Sequence, residues 1–142
     1  MLLKLNSLIE GNVVKRPSKL IKTPYVADIL PFNSEKEVLA HTASLGCCGL
    51  ADQGASILMS LIQESKTKSK KSDLPDKLKC EYRVYLSIIR EKNTEIIVGI
   101  YPKLAEELTE SALKNNLLHN LQNVKKYKRE TPIYVEGKVD SR

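Results

Sequence analysis

The chain has 142 residues, 42% of them hydrophobic, with 23 Lys and Arg against 17 Asp and Glu and a formal net charge of +6. That length makes one domain, or one small domain with the start of another, and with six Tyr, one Phe and no Trp its core must be aliphatic. No run approaches the roughly 18 apolar residues of a membrane span, and the opening MLLKLNSLIEG is broken by Lys4, Asn6 and Glu10, so neither a membrane partner nor a signal peptide is expected.

Residues 8–14 (LIEGNVV) read as a first strand with Gly11 as a bulge. Lys15, Arg16, Lys19 and Lys22 follow without an intervening acid, and Pro17 and Pro24 forbid a helix there. The result is a loop that attracts anions. Residues 25–30 (YVADIL) form a second strand, and 31–36 a polar turn.

The stretch 37–62 holds two apolar runs, Val38-Leu39-Ala40 and Ile57-Leu58-Met59, around a connection with Gly46, Gly49 and Gly54. Half of the chain's six glycines fall in those nine positions. Glycine permits positive φ and close backbone approach at a cost in chain entropy, so the pattern predicts strand, shaped loop, strand. The glycines either turn a barrel corner or shape a contact loop, for which His41, Thr42, Ser44 and Gly46 are the candidates. Next, residues 66–79 carry six Lys against two Asp with no apolar period. They form a polar loop, either a solvated tether or a flap whose Lys66, Lys68, Lys70 and Lys71 reach phosphates.

Residues 80–90 (CEYRVYLSIIR) alternate, with Cys80, Tyr82, Val84, Leu86 and Ile88 on the core side. Arg83 and Tyr85 then face outward together. A cation beside a ring suits single-stranded nucleic acid, and equally an ordinary solvent-facing strand. A turn at 91–94 leads to EIIVGI (95–100), an apolar run expected to be buried on both faces or covered by a helix. Pro102 then opens a helix with Glu106 and Glu107 placed in its first turn, and Asn115-Asn116 closes it. A basic segment with Lys125, Lys128 and Arg129 precedes Glu130, and 124–139 read as two short strands separated around Thr131-Pro132.

About six strands, one helix and a strand pair make a mainly β chain with a C-terminal α+β extension. The small antiparallel oligonucleotide-binding (OB) barrel is the expected form, with the division at residues 1–101 and 102–142. His41, Cys47, Cys48, Cys80 and His119 do not make a zinc set, because paired C-x₂₋₄-C spacing is missing. No third group orients a Cys–His nucleophile pair. An odd cysteine count without framework spacing suits a reducing compartment, cytoplasmic or nuclear.

Four segments in order, EGNVVKRPSKLIKTPYVADI (10–29), EVLAHTASLGCCGL (37–50), IIVGIYPKLAEELTESALKNNLL (96–118) and VKKYKRE with the closing SR (124–130, 141–142), resemble the sugar fermentation stimulation protein A (SfsA) family. The resemblance implies an OB-like barrel followed by a nuclease-like domain of the PD-(D/E)XK type, and DNA binding. The family's metal-holding acids lie in S-R-x-D-F and a later E-x-K stretch, and this sequence stops at Ser141-Arg142. Glu130 is the one remnant of that set, so no metal and no cofactor are expected here; a divalent ion such as Mg²⁺ belongs to a complete nuclease domain. A second departure is Cys47-Cys48, where many relatives close H-C-P-N-T-G-S-M.

The expected function is therefore a catalytically incomplete nucleic-acid-binding fragment, its DNA or RNA partner held through phosphates by Lys15, Arg16, Lys19, Lys22, the 66–71 lysines, Arg83 with Tyr85, and Lys125, Lys128 and Arg129. Two alternatives stand beside it: part of an active metal-dependent nuclease whose catalytic half is encoded downstream, and a non-catalytic protein-interaction module.

Overall fold

Short aliphatic runs closed by Pro, Gly or charged turns become strands here, and one amphipathic run becomes a helix. The computed structural model describes residues 2–42, 47–62, 79–135 and 138–141. In chain order they form β1 (Ile9–Lys15), β2 (Val26–Pro31), β3 (Val38–His41), β4 (Ser56–Leu61), β5 (Tyr82–Glu91), β6 (Thr94–Gly99), α1 (Pro102–Lys114), β7 (Ile133–Val135) and β8 (Lys138–Ser141). Strand β1 pairs antiparallel with β2 and β4, β2 with β3, and β4 with β5. A parallel pairing of β3 with β5 closes the ring. This is the connectivity of an OB-like barrel, and closure removes the sheet edges from those five strands. Strand β6 continues the sheet outside the ring as a hairpin partner of β5.

The interior is aliphatic, as the scarcity of aromatics requires. Val13, Ala27, Ile29, Ala40, Ile57, Met59, Val84 and Ile100 pack together inside the strands. Ile29, Ile57 and Met59 are fully buried, each contributing about 1.5–3 kcal/mol of transfer free energy. The glycine-bearing connection closes one end. Ala51 joins the core with Cys47, Leu50 and Ala55 packed on it, and Gly54 N–H donates to Val13 O at 2.8 Å. Gly49 and Gly54 sit at φ 84° and 88° with open space where a Cβ would be, so here they serve turn geometry.

Several sequence expectations are corrected. Gly11 does not bulge. It lets β1 approach β2, since a Cβ there would lie 2.8 Å from Leu30 O. The bulge falls at Val14, which the register skips between Val13↔Ile29 and Lys15↔Asp28. A second bulge lies at Tyr85, between Leu58↔Leu86 and Met59↔Val84. It switches the alternation of β5: Val84 faces the core before it and Ser87, opposite core residue Ile57, faces the core after it. Leu86, only half-buried, therefore leaves the set assigned to the core side, while Ile88 is buried as expected. Strand β6 is not buried on both faces: among the described residues it pairs with β5 alone, and it exposes Ile96 and Ile97.

The first turn of α1 holds no acid; Glu106 and Glu107 fall in the second turn. Its end is as expected. Asn116 takes φ 52°, and Leu117 N–H donates to Ala112 O at 3.0 Å while Asn116 N–H donates to Leu113 O at 3.1 Å, which is a Schellman closure. Both late strands lie beyond Thr131-Pro132, not either side of it, and pair as a hairpin.

The chain divides into two compact units, Lys4–Ala105 and Met1–Leu3 with Glu106–Arg142. In the second, the Glu110 carboxylate accepts from Tyr127 Oη at 2.9 Å and pairs with Lys114 and Arg129. Those partners, Lys114 and Tyr127 foremost, hold its pKa down at about 2. Among the described residues, no helix is long and apolar enough to cross a membrane.

Candidate nucleic-acid interface

Strand register assembles the site. Val26 of β2 is paired with His41 of β3, His41 with Arg83 of β5, and Arg83 with Ser60 of β4. Paired residues share a face and neighbours alternate. Because Ala27, Ala40 and Met59 point into the core, the row Val26–His41–Arg83–Ser60 lies on the opposite face of four adjacent strands, spaced about 4.8 Å apart, with Val26 buried and the other three half-buried. The connection 16–25 enters β2 at Val26 and Thr42 follows His41 at the end of β3, so both border this row.

Aromatic rings flank the row. The Arg83 guanidinium carbon lies 5.4 Å from the Tyr101 ring centroid, a cation–π distance. Tyr101 meets Tyr85 edge-on, with centroids 5.1 Å apart and planes at 77°. On the other side the Tyr25 ring stacks near His41, centroids 6.4 Å apart and planes at 11°. Burial, and then the Arg83 charge, pull the His41 pKa below its ordinary 6.5. The imidazole is therefore neutral at pH 7. Among the described residues, His41 Nδ1 and Arg83 Nε are buried without a hydrogen-bond partner. A cleft of about 600 Å³ opens beside them, lined by residues 4–9, 60–62, Arg83 and Tyr85.

The 16–25 connection is fastened down by its own side chains. Asp28, buried on β2, accepts from Ser18 Oγ at 2.5 Å and Lys19 N–H at 2.8 Å. Thr42, also buried, donates its N–H to Tyr25 O at 2.8 Å and its Oγ1 hydroxyl to Pro24 O at 3.3 Å. This makes Thr42 a clasp for the connection.

The predicted contact residues separate accordingly. Arg83 and Tyr85 come together as expected, joined by His41, by Tyr101 and by Lys4 at the cleft. Lys15 and Lys22 are exposed, with no acidic partner among the described residues. Arg16 is corrected from surface contact to structural peg: its side chain is 7% exposed, 3.6 Å from Asp52, and its Nε donates to Pro24 O at 2.7 Å. Lys19 is ion-paired with the Glu37 carboxylate at 3.0 Å. Arg129 is likewise taken up by Glu106 and Glu110. Lys125 and Lys128 are exposed and belong to the second compact unit. Ser44, Gly46, Lys66, Lys68, Lys70 and Lys71 lie outside the described residues.

Tyr101 and Lys4 were missed because they sit far from Arg83 in sequence. The weak signal was Tyr101 directly before helix-opening Pro102, where the chain must turn back onto β5. There the Ile100 N–H donates to Tyr85 O at 3.0 Å.

No protein-family model matches the chain, and no curated protein sequence does. Among solved structures, Pyrococcus furiosus SfsA in complex with Ca²⁺ matches with a TM-score of 0.66 at 16% identity, over 94% of this chain and 48% of that one. The fold is SfsA-like. At that identity the likeness is one of fold, and the chain spans about half the length of the SfsA structure. Among the described residues no group of three or more His, Cys, Asp or Glu is placed to hold a metal ion. Glu130 is exposed, at φ 46°, and brings no further ligands with it. The described residues therefore do not fit a divalent ion, and no metal-dependent step is assigned to them.

Proposed function

We propose that the chain is a nucleic-acid-binding module whose SfsA-like barrel holds DNA or RNA through phosphate contacts. The observation that carries this is the Arg83 row: one guanidinium between two aromatic groups, Tyr25 with His41 and Tyr85 with Tyr101, on one outer face. Rings receive bases and cations hold phosphates, an arrangement tolerant of sequence. Lys4, Lys15 and Lys22 supply further unneutralised charge in the same compact unit. The three free cysteines, Cys47, Cys48 and Cys80, suit a reducing compartment, cytoplasmic or nuclear.

The test is retention of an oligonucleotide as salt rises from about 50 to 200 mM. Affinity should fall steeply with little dependence on base sequence. Affinity indifferent to salt would refute the reading.

A second reading is favoured by the coverage figure. The chain corresponds to 48% of the SfsA structure, so the module works beside a further half that carries metal-dependent nuclease chemistry. Sequencing the nucleotides after Arg142 tests it. An open frame with an Asp two positions on and a later E-x-K supports it, and a stop codon refutes it.

A further inference from the structure

The cleft beside Arg83 has a lining that phosphate binding alone does not require. Two cations, Lys4 and Arg83, stand on it with the Ser60 hydroxyl and, among the described residues, no acidic residue, while Tyr85, Leu61 and Ile62 give it a ring and an aliphatic wall. A duplex offers such a cleft only its sugar–phosphate ridge, because its base faces are stacked inside the helix. An unstacked nucleotide offers both a flat apolar base and an anion, which is how single strands are commonly recognised. The volume of about 600 Å³ lies within the ordinary range for small-ligand sites, roughly 300–1,000 Å³. Arg83 Nε–H, buried and unpartnered among the described residues, is a donor whose burial is costly until an acceptor arrives.

We infer that this cleft takes one unstacked nucleotide, its base against Tyr85 and the Leu61–Ile62 wall and its phosphate on Arg83 and Lys4. The inference rests on the nucleic-acid reading above and narrows it to single strands or strand ends. The same chemistry is present in a free mononucleotide, and the experiment separates these sources.

The full chain is titrated by fluorescence anisotropy with a labelled dT oligomer, its duplex, an abasic oligomer of equal length, and unlabelled dTMP as competitor. The oligomer should bind at least tenfold tighter than the duplex, and the abasic strand should bind no better than the duplex. Tyr85→Leu should remove that preference and Tyr85→Phe, which keeps the ring, should restore it. Leu61 is 58% exposed, so Leu61→Glu should keep the native circular-dichroism spectrum and weaken the oligomer about tenfold by placing a carboxylate in the cleft. Displacement by dTMP as effectively as by unlabelled oligomer supports the cleft and assigns a free nucleotide as its source. Equal affinity for single strand and duplex, unmoved by Leu61→Glu but weakened by Lys15→Glu with Lys22→Glu, overturns the inference and leaves the nucleic-acid reading standing. Absence of binding to any of the four probes overturns both.

Discussion

Counting lysines and arginines overstates this protein's grip on a polyanion, and the salt dependence of single variants measures by how much. Binding strengthens at low salt because each phosphate neutralised by a cation releases condensed counterions. A cation already paired with a carboxylate has little to contribute. Arg16 is 3.6 Å from Asp52 and Lys19 is 3.0 Å from Glu37, whereas Lys15 and Lys22 have no acidic partner among the described residues. For a single strand each neutralised phosphate adds about 0.7 to the slope of log affinity against log salt. Lys15→Ala and Lys22→Ala should each flatten that slope by about 0.7, and the double variant by about 1.4. Across a fourfold rise in salt those figures correspond to roughly 2.6-fold and 7-fold less salt-induced loss. Lys19→Ala should leave the slope unchanged. The assay is anisotropy titration of one oligonucleotide at four salt concentrations. Equal slope changes for Lys19→Ala and Lys15→Ala would refute the reasoning, because ion pairing would then have no bearing on the count.

Other consequences follow from the described contacts. Asp28→Ala strips a charged acceptor from the buried Ser18 hydroxyl and the Lys19 amide and should cost about 2–4 kcal/mol, read from urea unfolding; a loss under about 0.5 kcal/mol would contradict the anchoring role. Gly11→Ala places a Cβ 2.8 Å from Leu30 O and 3.0 Å from Pro31 Cα, so overpacking of about 1–3 kcal/mol is expected in the same assay, and a neutral result would contradict the close approach. Because the folded-state pKa of His41 lies below its ordinary 6.5, the unfolded chain takes up the proton first as pH falls. Its contribution is therefore nil above about pH 6.5 and destabilising as pH drops from there toward the folded value. His41→Asn should flatten the acid-side slope of stability against pH in that window; an unchanged slope would contradict the burial of the imidazole.

Much of the barrel was legible because its strands are short aliphatic runs separated by turn residues, and local pattern reports that directly. The closing contact was not. The parallel pairing of β3 with β5 joins residues far apart in the chain, and no alternation announces it. The Tyr85 bulge is similarly invisible, since it is defined by register against β4, and it brought Ser87 rather than Leu86 to the core side. Strand β6 misled because three consecutive apolar residues look the same in a central strand and at an edge. At the site, Arg83 and Tyr85 could be paired from their spacing along β5. Tyr101 and Lys4 could not, because the fold brings them in from elsewhere. The basic segment 15–22 was visible as charge, but Asp52 and Glu37, which take up Arg16 and Lys19, arrive from other loops and strands.

The central claim is that nucleic acid lies on the outer face of the barrel across β3 and β5. Photo-crosslinking of an iodouracil-substituted oligonucleotide to the full chain, with the attachment sites mapped by mass spectrometry, tests it most directly. Crosslinks at Tyr25, Tyr85 or Tyr101, weakened in Arg83→Ala, are the predicted result. Crosslinks confined to residues 106–142, or none in low salt, would contradict it.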